Sequence, residues 1–153
     1  MYVGGGMSRV DVNGSDDFAA LSVDAGIGTP ATSSFVWGAV FHGAGRFGHG
    51  LDLGGALRIA TGSYARGDFG VGLDLGPEYR FGDDRGAAGA ARLILGAPWG
   101  ISASAGGSYG ADEVKVFMVT LGLDFARLTV HRDVGLGWFP NPQRSPAGDA
   151  HHR

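Results

Sequence analysis

The stretch Val71–Gly82, VGLDLGPEYRFG, separates into two lists when every second residue is taken. Val71, Leu73, Leu75, Pro77, Tyr79 and Phe81 form one list, and Gly72, Asp74, Gly76, Glu78, Arg80 and Gly82 form the other. Successive side chains of a strand point to opposite faces, so the stretch reads as one long strand with an apolar face backing onto a face of glycines and mixed charges. A helix is a poor alternative, because an interior glycine costs about 1 kcal/mol relative to alanine and glycine recurs throughout. Which face meets the solvent, and what that solvent is, decides the fold.

The same alternation runs along the chain. A first segment, Tyr2 to Val12, is followed by Asn13-Gly14-Ser15-Asp16, which has hairpin-turn chemistry. Asp17 to Gly28 sets Leu21, Val23 and Ile27 opposite Ser22, Asp24 and Gly26, and Ser34 to Phe47 sets Phe35, Trp37 and Phe41 opposite Val40, His42, Ala44 and Arg46. Leu51 to Gly62 sets Leu53, Leu57 and Ile59 opposite Asp52, Arg58 and Ala60; the polar SYARGD, Ser63–Asp68, reads as the connection to the opening stretch. Ala88 to Ala97 alternates around Arg92, Ile101 to Tyr109 is weak and built of small residues, and Lys115 to Phe125 sets Phe117, Val119 and Leu121 opposite Met118, Thr120 and Asp124. The pattern predicts an all-β chain, an eight-stranded antiparallel up-and-down barrel over residues 1–127. Residues 128–139 read as a possible extra strand or extension, and 140–153, rich in proline, charge and small residues, as a disordered tail.

Composition narrows the classes. The chain has 153 residues, enough for one domain with a core. Its 30 glycines follow no collagen-like period, so they serve turns and close packing. A net charge of −3 with 18% charged residues gives no basic patch for nucleic acid, and none is expected as a partner. Lys115 is the sole lysine, which is unusual for a surface that faces water throughout. There are no cysteines, which removes disulfides and thiolate metal sites. No run approaches the roughly 18 apolar residues of a spanning helix, and the N-terminus MYVGGGMSRV shows no basic start followed by an apolar core of a signal peptide.

Alternation alone does not choose between a soluble sheet and a membrane barrel, because both can carry one polar face. The content of that face is informative: glycine and alanine punctuated by Asp24, His42, Arg46, Asp52, Arg58, Asp74, Glu78, Arg80, Arg92 and Asp124. Small residues leave room in a narrow barrel, and opposite charges from neighbouring strands can pair there, so these ten residues are expected to form an interior charge network. The apolar list then faces outward. In water such a band invites aggregation, whereas a bilayer demands it and barrel closure satisfies every backbone group. Aromatic residues near the segment ends, such as Trp37, Phe47, Phe69, Tyr79, Trp99 and Phe117, fit interfacial girdles. A soluble lipocalin-like barrel binding a small apolar ligand stays open, with the apolar residues inward and Glu78 and Arg80 outward.

YVGGGMSRVDV, LGPEYRFG and VTLGLDFARL resemble the first, a middle and the closing strand of the small Gram-negative outer-membrane β-barrels, of the OmpA/OmpX kind. That resemblance implies an outer-membrane location, outer-membrane lipid or detergent and other envelope proteins as partners, and a structural or interaction role without cofactor. Family members usually end on the aromatic of the last strand, whereas Phe125 here is followed by 28 residues.

Some barrels of this size modify lipid A, so a third reading is an enzyme. His42, with Ser34 and Asp52 in neighbouring segments, supplies the residue types of nucleophilic catalysis. A single histidine on a strand is more often a hydrogen-bonded interior residue, and no catalytic, cofactor or metal residues are assigned. His42 with His49, and Asp83-Asp84, lack the further ligands of a metal site. Gly4-Gly5-Gly6 lacks the strand-to-helix setting of a phosphate loop, and His131-Arg132-Asp133 stands without any other kinase feature. An eight-stranded barrel is just filled by its side chains, so the interior charges are expected to form a plug and not a wide pore.

Overall fold

Side-chain period two becomes strand wherever the sequence alternates. The computed structural model describes residues 2–11, 15–29, 32–66, 68–82, 85–110 and 115–124. The strands are β1 (Tyr2–Asp11), β2 (Ser15–Gly28), β3 (Phe35–Arg46), β4 (Gly50–Thr61), β5 (Gly70–Gly82), β6 (Gly86–Gly96), β7 (Ile101–Gly110) and β8 (Lys115–Asp124). A one-turn helix α1 (Gly62–Arg66) joins β4 to β5, and a 3-10 turn (Pro98–Gly100) joins β6 to β7. The seven strands β2 to β8 pair antiparallel in chain order. The backbone of β1 lies between β2 and β8, with Tyr2 opposite both Asp24 and Asp124, and the sheet closes into a barrel.

The barrel is turned so that the apolar list faces out. On β5, Val71, Leu73, Leu75, Pro77, Tyr79 and Phe81 are exposed, while Gly72, Asp74 and Arg80 are buried and Gly76 and Glu78 half-buried. On β3, Val36, Gly38, Val40, His42, Ala44 and Arg46 are buried and Phe35, Trp37, Ala39 and Phe41 exposed. A slip of one residue in any ladder would exchange the two faces, so the pattern fixes the register as well as the orientation. That register sets unlike charges side by side on the inner wall: Asp24 opposite His42, Asp52 opposite Arg80, and Asp74 opposite both Arg58 and Arg92.

Turns divide the barrel into two rims. Three or four residues separate β1 from β2, β3 from β4, β5 from β6 and β7 from β8 at one rim. The other rim carries α1, which departs from the expectation of a plain polar connection over Ser63–Asp68. The cause is local capping: the Thr61 hydroxyl accepts the backbone N–H of Tyr64 at 3.3 Å, as an N-cap does, and that of Val71 at 3.2 Å. Tyr64 and Ala65 then turn inward and pack with Val36, Ala60 and Ile94 into an apolar plug. Gly96 makes room for it, since a Cβ there would stand 2.6 Å from the Tyr64 ring. Ser34 and Phe47, expected within the third segment, flank β3 as bend and turn. The proposed extension 128–139 and tail 140–153 lie outside the described residues.

Candidate functional site

Among the described residues, most charged side chains of β2 to β6 lie inside the barrel, stacked in layers along its axis. Below the Tyr64 plug is a middle layer of Asp24 from β2, His42 from β3, Arg58 from β4, Asp74 from β5 and Arg92 from β6. Arg58 grips Asp74 with two bonds, Nε to Oδ1 at 2.5 Å and Nη2 to Oδ2 at 2.6 Å. It also reaches Asp24 Oδ2 at 3.5 Å and donates Nη1 to the Tyr64 hydroxyl at 3.3 Å, tying the layer to the plug. Arg92 Nη1 lies 3.3 Å from Asp24 Oδ1 and 2.8 Å from His42 Nδ1, and His42 Nδ1 also meets Asp24 Oδ1. Since β6 and β2 are on opposite sides of the closed sheet, one arginine side chain spans the lumen.

A second layer faces the rim of short turns. Arg46 holds Asp52 through Nε at 3.0 Å and Nη2 at 2.9 Å. Arg80, 1% exposed, donates Nη2 to Ser108 Oγ at 2.7 Å and places Nε 3.4 Å from Glu78 Oε1. Nearer the rim of α1, with Ser104 paired beside Ile94, Ser104 and Thr120 share a hydroxyl hydrogen bond of 2.6 Å. The two layers carry four guanidiniums, Arg46, Arg58, Arg80 and Arg92, against four carboxylates, Asp24, Asp52, Asp74 and Glu78. Charges removed from water are tolerated when paired and hydrogen-bonded in this way. Between the layers is a cavity of about 20 Å³ lined by His42, Asp74, Glu78 and Arg92 among others, space for about one water.

Nine of the ten expected network residues therefore line these layers of the inner wall, and Asp124 is half-buried at the last position of β8. The alternation of the sequence does not say which charges pair. Residue types group His42 with Ser34 and Asp52, and the structure separates them: Asp52 is engaged by Arg46, and His42 meets Asp24. Ser34 is exposed before β3, eight residues along the strand direction from His42, which is about 26 Å at strand rise. No such triad is assembled among the described residues. His49 stacks on Phe18 with ring centroids 3.5 Å apart, away from His42, and Asp83-Asp84 lies outside the described residues. Arg85, just before β6, donates to the Tyr79 hydroxyl at 3.1 Å, and that bond holds its guanidinium pKa above the ordinary value.

Comparison of the chain with protein-family models, with curated proteins and with solved structures yields no match.

Proposed function

We propose that this chain is an eight-stranded up-and-down barrel of a Gram-negative outer membrane, with a structural or interaction role and an interior plugged by charge. One observation carries the reading: the wall is inside out for a protein in water. Within the strands β3 to β7 themselves no outward-facing position holds a charged residue, while Asp24, Arg46, Asp52, Arg58, Asp74 and Arg80 are all buried. Ile27, Trp37, Phe41, Leu57, Leu75, Leu95 and Leu121 stand exposed on the outer faces of β2 to β6 and β8. Lipid is the solvent that favours such a face.

Dimensions agree. β3 has 12 residues, and at about 3.3 Å each with a tilt of roughly 40° it rises about 30 Å, enough for the hydrocarbon core. Exposed aromatics cluster toward the strand ends, Phe35, Trp37, Phe69 and Trp99 at the rim of α1 and Phe47, Tyr79, Phe81, Tyr109 and Phe117 at the other. A lipocalin-like ligand barrel calls for the reverse orientation, with an apolar lumen and Glu78 and Arg80 in water. The lumen here is charged and filled.

Since the chain has no cysteine, single-cysteine labelling tests the reading directly. Nitroxides at Leu73→Cys and Phe47→Cys are placed in full-length protein reconstituted in phospholipid vesicles. The expected outcome is strong relaxation by oxygen and little by an aqueous nickel complex at 73, with nickel access rising at 47. Bulk-water access at 73 would defeat the membrane reading, and an immobile label shielded from both agents would mean that protein, not lipid, covers the wall.

A further inference from the structure

The cavity between the two charge layers is small, walled largely by Gly54, Gly55, Ala56, Gly76 and Ala90, and reached by three polar side chains with hydrogen-bonding capacity to spare, His42, Glu78 and Arg92. His42 is 5% exposed, and among the described residues its side chain is engaged only through Nδ1, which leaves Nε2 without a protein partner. Glu78 meets Arg80 only through Oε1, at 3.4 Å, so Oε2 has none either. Arg92 uses Nη1 alone. All three residues line the same space of about 20 Å³. A buried polar group without a partner costs about 1–3 kcal/mol, and buried waters typically make two to four bonds to such groups.

We infer that this space is a binding site for one structural water molecule. The water accepts an N–H of Arg92, donates to Glu78 Oε2 and completes the bonding of His42 at Nε2. It thereby links the middle layer to Glu78 in the second layer and makes one network of the two. Gly54 and Gly76 line the space, and Gly54 lets β4 and β5 come close beside it, since a Cβ there would meet the Pro77 carbonyl oxygen at 2.8 Å and Glu78 Cβ at 2.9 Å. The inference concerns the lumen alone and holds whether lipid or protein meets the outer wall.

Magnetic relaxation dispersion of ¹⁷O-enriched water, measured on the full chain in detergent micelles, counts long-lived internal waters. The variant Ala56→Val, from a residue lining the cavity, extends a side chain toward it. The wild type is expected to exceed this variant by one long-lived water. Equal amplitudes in the two would overturn the site, as would a wild type with no dispersion at all. If Ala56→Val does not fold, Ala90→Val approaches the same space from β6 and is read the same way. A difference of several waters would mean a hydrated channel and would equally overturn a single-water site.

Discussion

Arg9 and Arg46 hold aspartates with the same two-pronged geometry on opposite sides of one wall. Arg9 meets Asp17 through Nε at 2.7 Å and Nη2 at 3.0 Å, and Arg46 meets Asp52 through Nε at 3.0 Å and Nη2 at 2.9 Å. Their side chains differ in exposure, 56% and 46% for the first pair against 1% and 6% for the second. The outer pair joins β1 to β2 near the rim of short turns, where both groups stay solvated. The inner pair has been taken out of water, and the two bonds between its partners replace part of the hydration each has lost. Equal geometry therefore conceals unequal consequences, and medium, not distance, decides how much a pair matters.

Breaking the inner pair gives the largest expected effect. Asp52→Leu removes the carboxylate gripped by Arg46 and leaves a guanidinium in the lumen, and loss of one partner of a buried pair costs about 3–5 kcal/mol. Urea titration of the refolded chain in micelles measures it. An Asp52→Leu barrel as stable as the wild type would show that water enters the lumen freely enough to solvate Arg46. Reversing the comparison comes next, by placing charge on the bare outer wall. In a bilayer, Leu75→Arg at mid-strand is expected to cost about 2–4 kcal/mol and Val71→Arg near the rim about 0–1 kcal/mol, because the cost follows depth. Equal costs at the two heights would argue that the wall does not cross a hydrocarbon layer.

The division into inner and outer faces is legible in the sequence because strand geometry is strictly alternating and the alternation of apolar with small or charged residues is clear in β2 to β5 and again in β8, though weak in β7. Leu73 and Asp74 can be told apart without any coordinates. Pairing inside was not legible, since the partner of His42 depends on where β2 and β3 turn. Asp24 and His42 come opposite each other only because the connection spans residues 29–34, and a loop of another length would bring a different inner residue to that place. Arg92 reaching across to Asp24 depends on closure of the whole sheet, which no local pattern encodes. Helix α1 is not legible because five residues give no apolar periodicity, and Thr61 is followed three positions on by Tyr64 and not by the Glu or Gln that would complete a capping box.

That cap supplies a smaller effect at the end of the barrel where apolar packing replaces charge. Thr61→Val keeps the shape of the residue and removes the oxygen that accepts from Tyr64 and Val71, so a loss of about 1 kcal/mol is expected. The same titration measures it, and tyrosine fluorescence of Tyr64 gives a local reading against a Tyr64→Phe reference. A cost as large as that of Asp52→Leu would mean that the plug, and not the ion-pair layers, governs folding of the lumen.

The smallest effect belongs to the outer pair, and it closes the comparison. Arg9→Gln leaves the Asp17 carboxylate, already 46% exposed, to be solvated by water. An exposed ion pair gains little because its attraction is weak in high dielectric and ordering two long side chains opposes it. No measurable change in the urea midpoint is expected at physiological salt. Ionic strength separates the two pairs further, since exposed charges are screened over about 8–10 Å and buried ones much less. Raising salt should therefore leave the penalty of Asp52→Leu in place while any residual effect of Arg9→Gln disappears. A salt-resistant loss at Arg9 would place that pair in a dry contact and would extend the low-dielectric region past the rim of short turns.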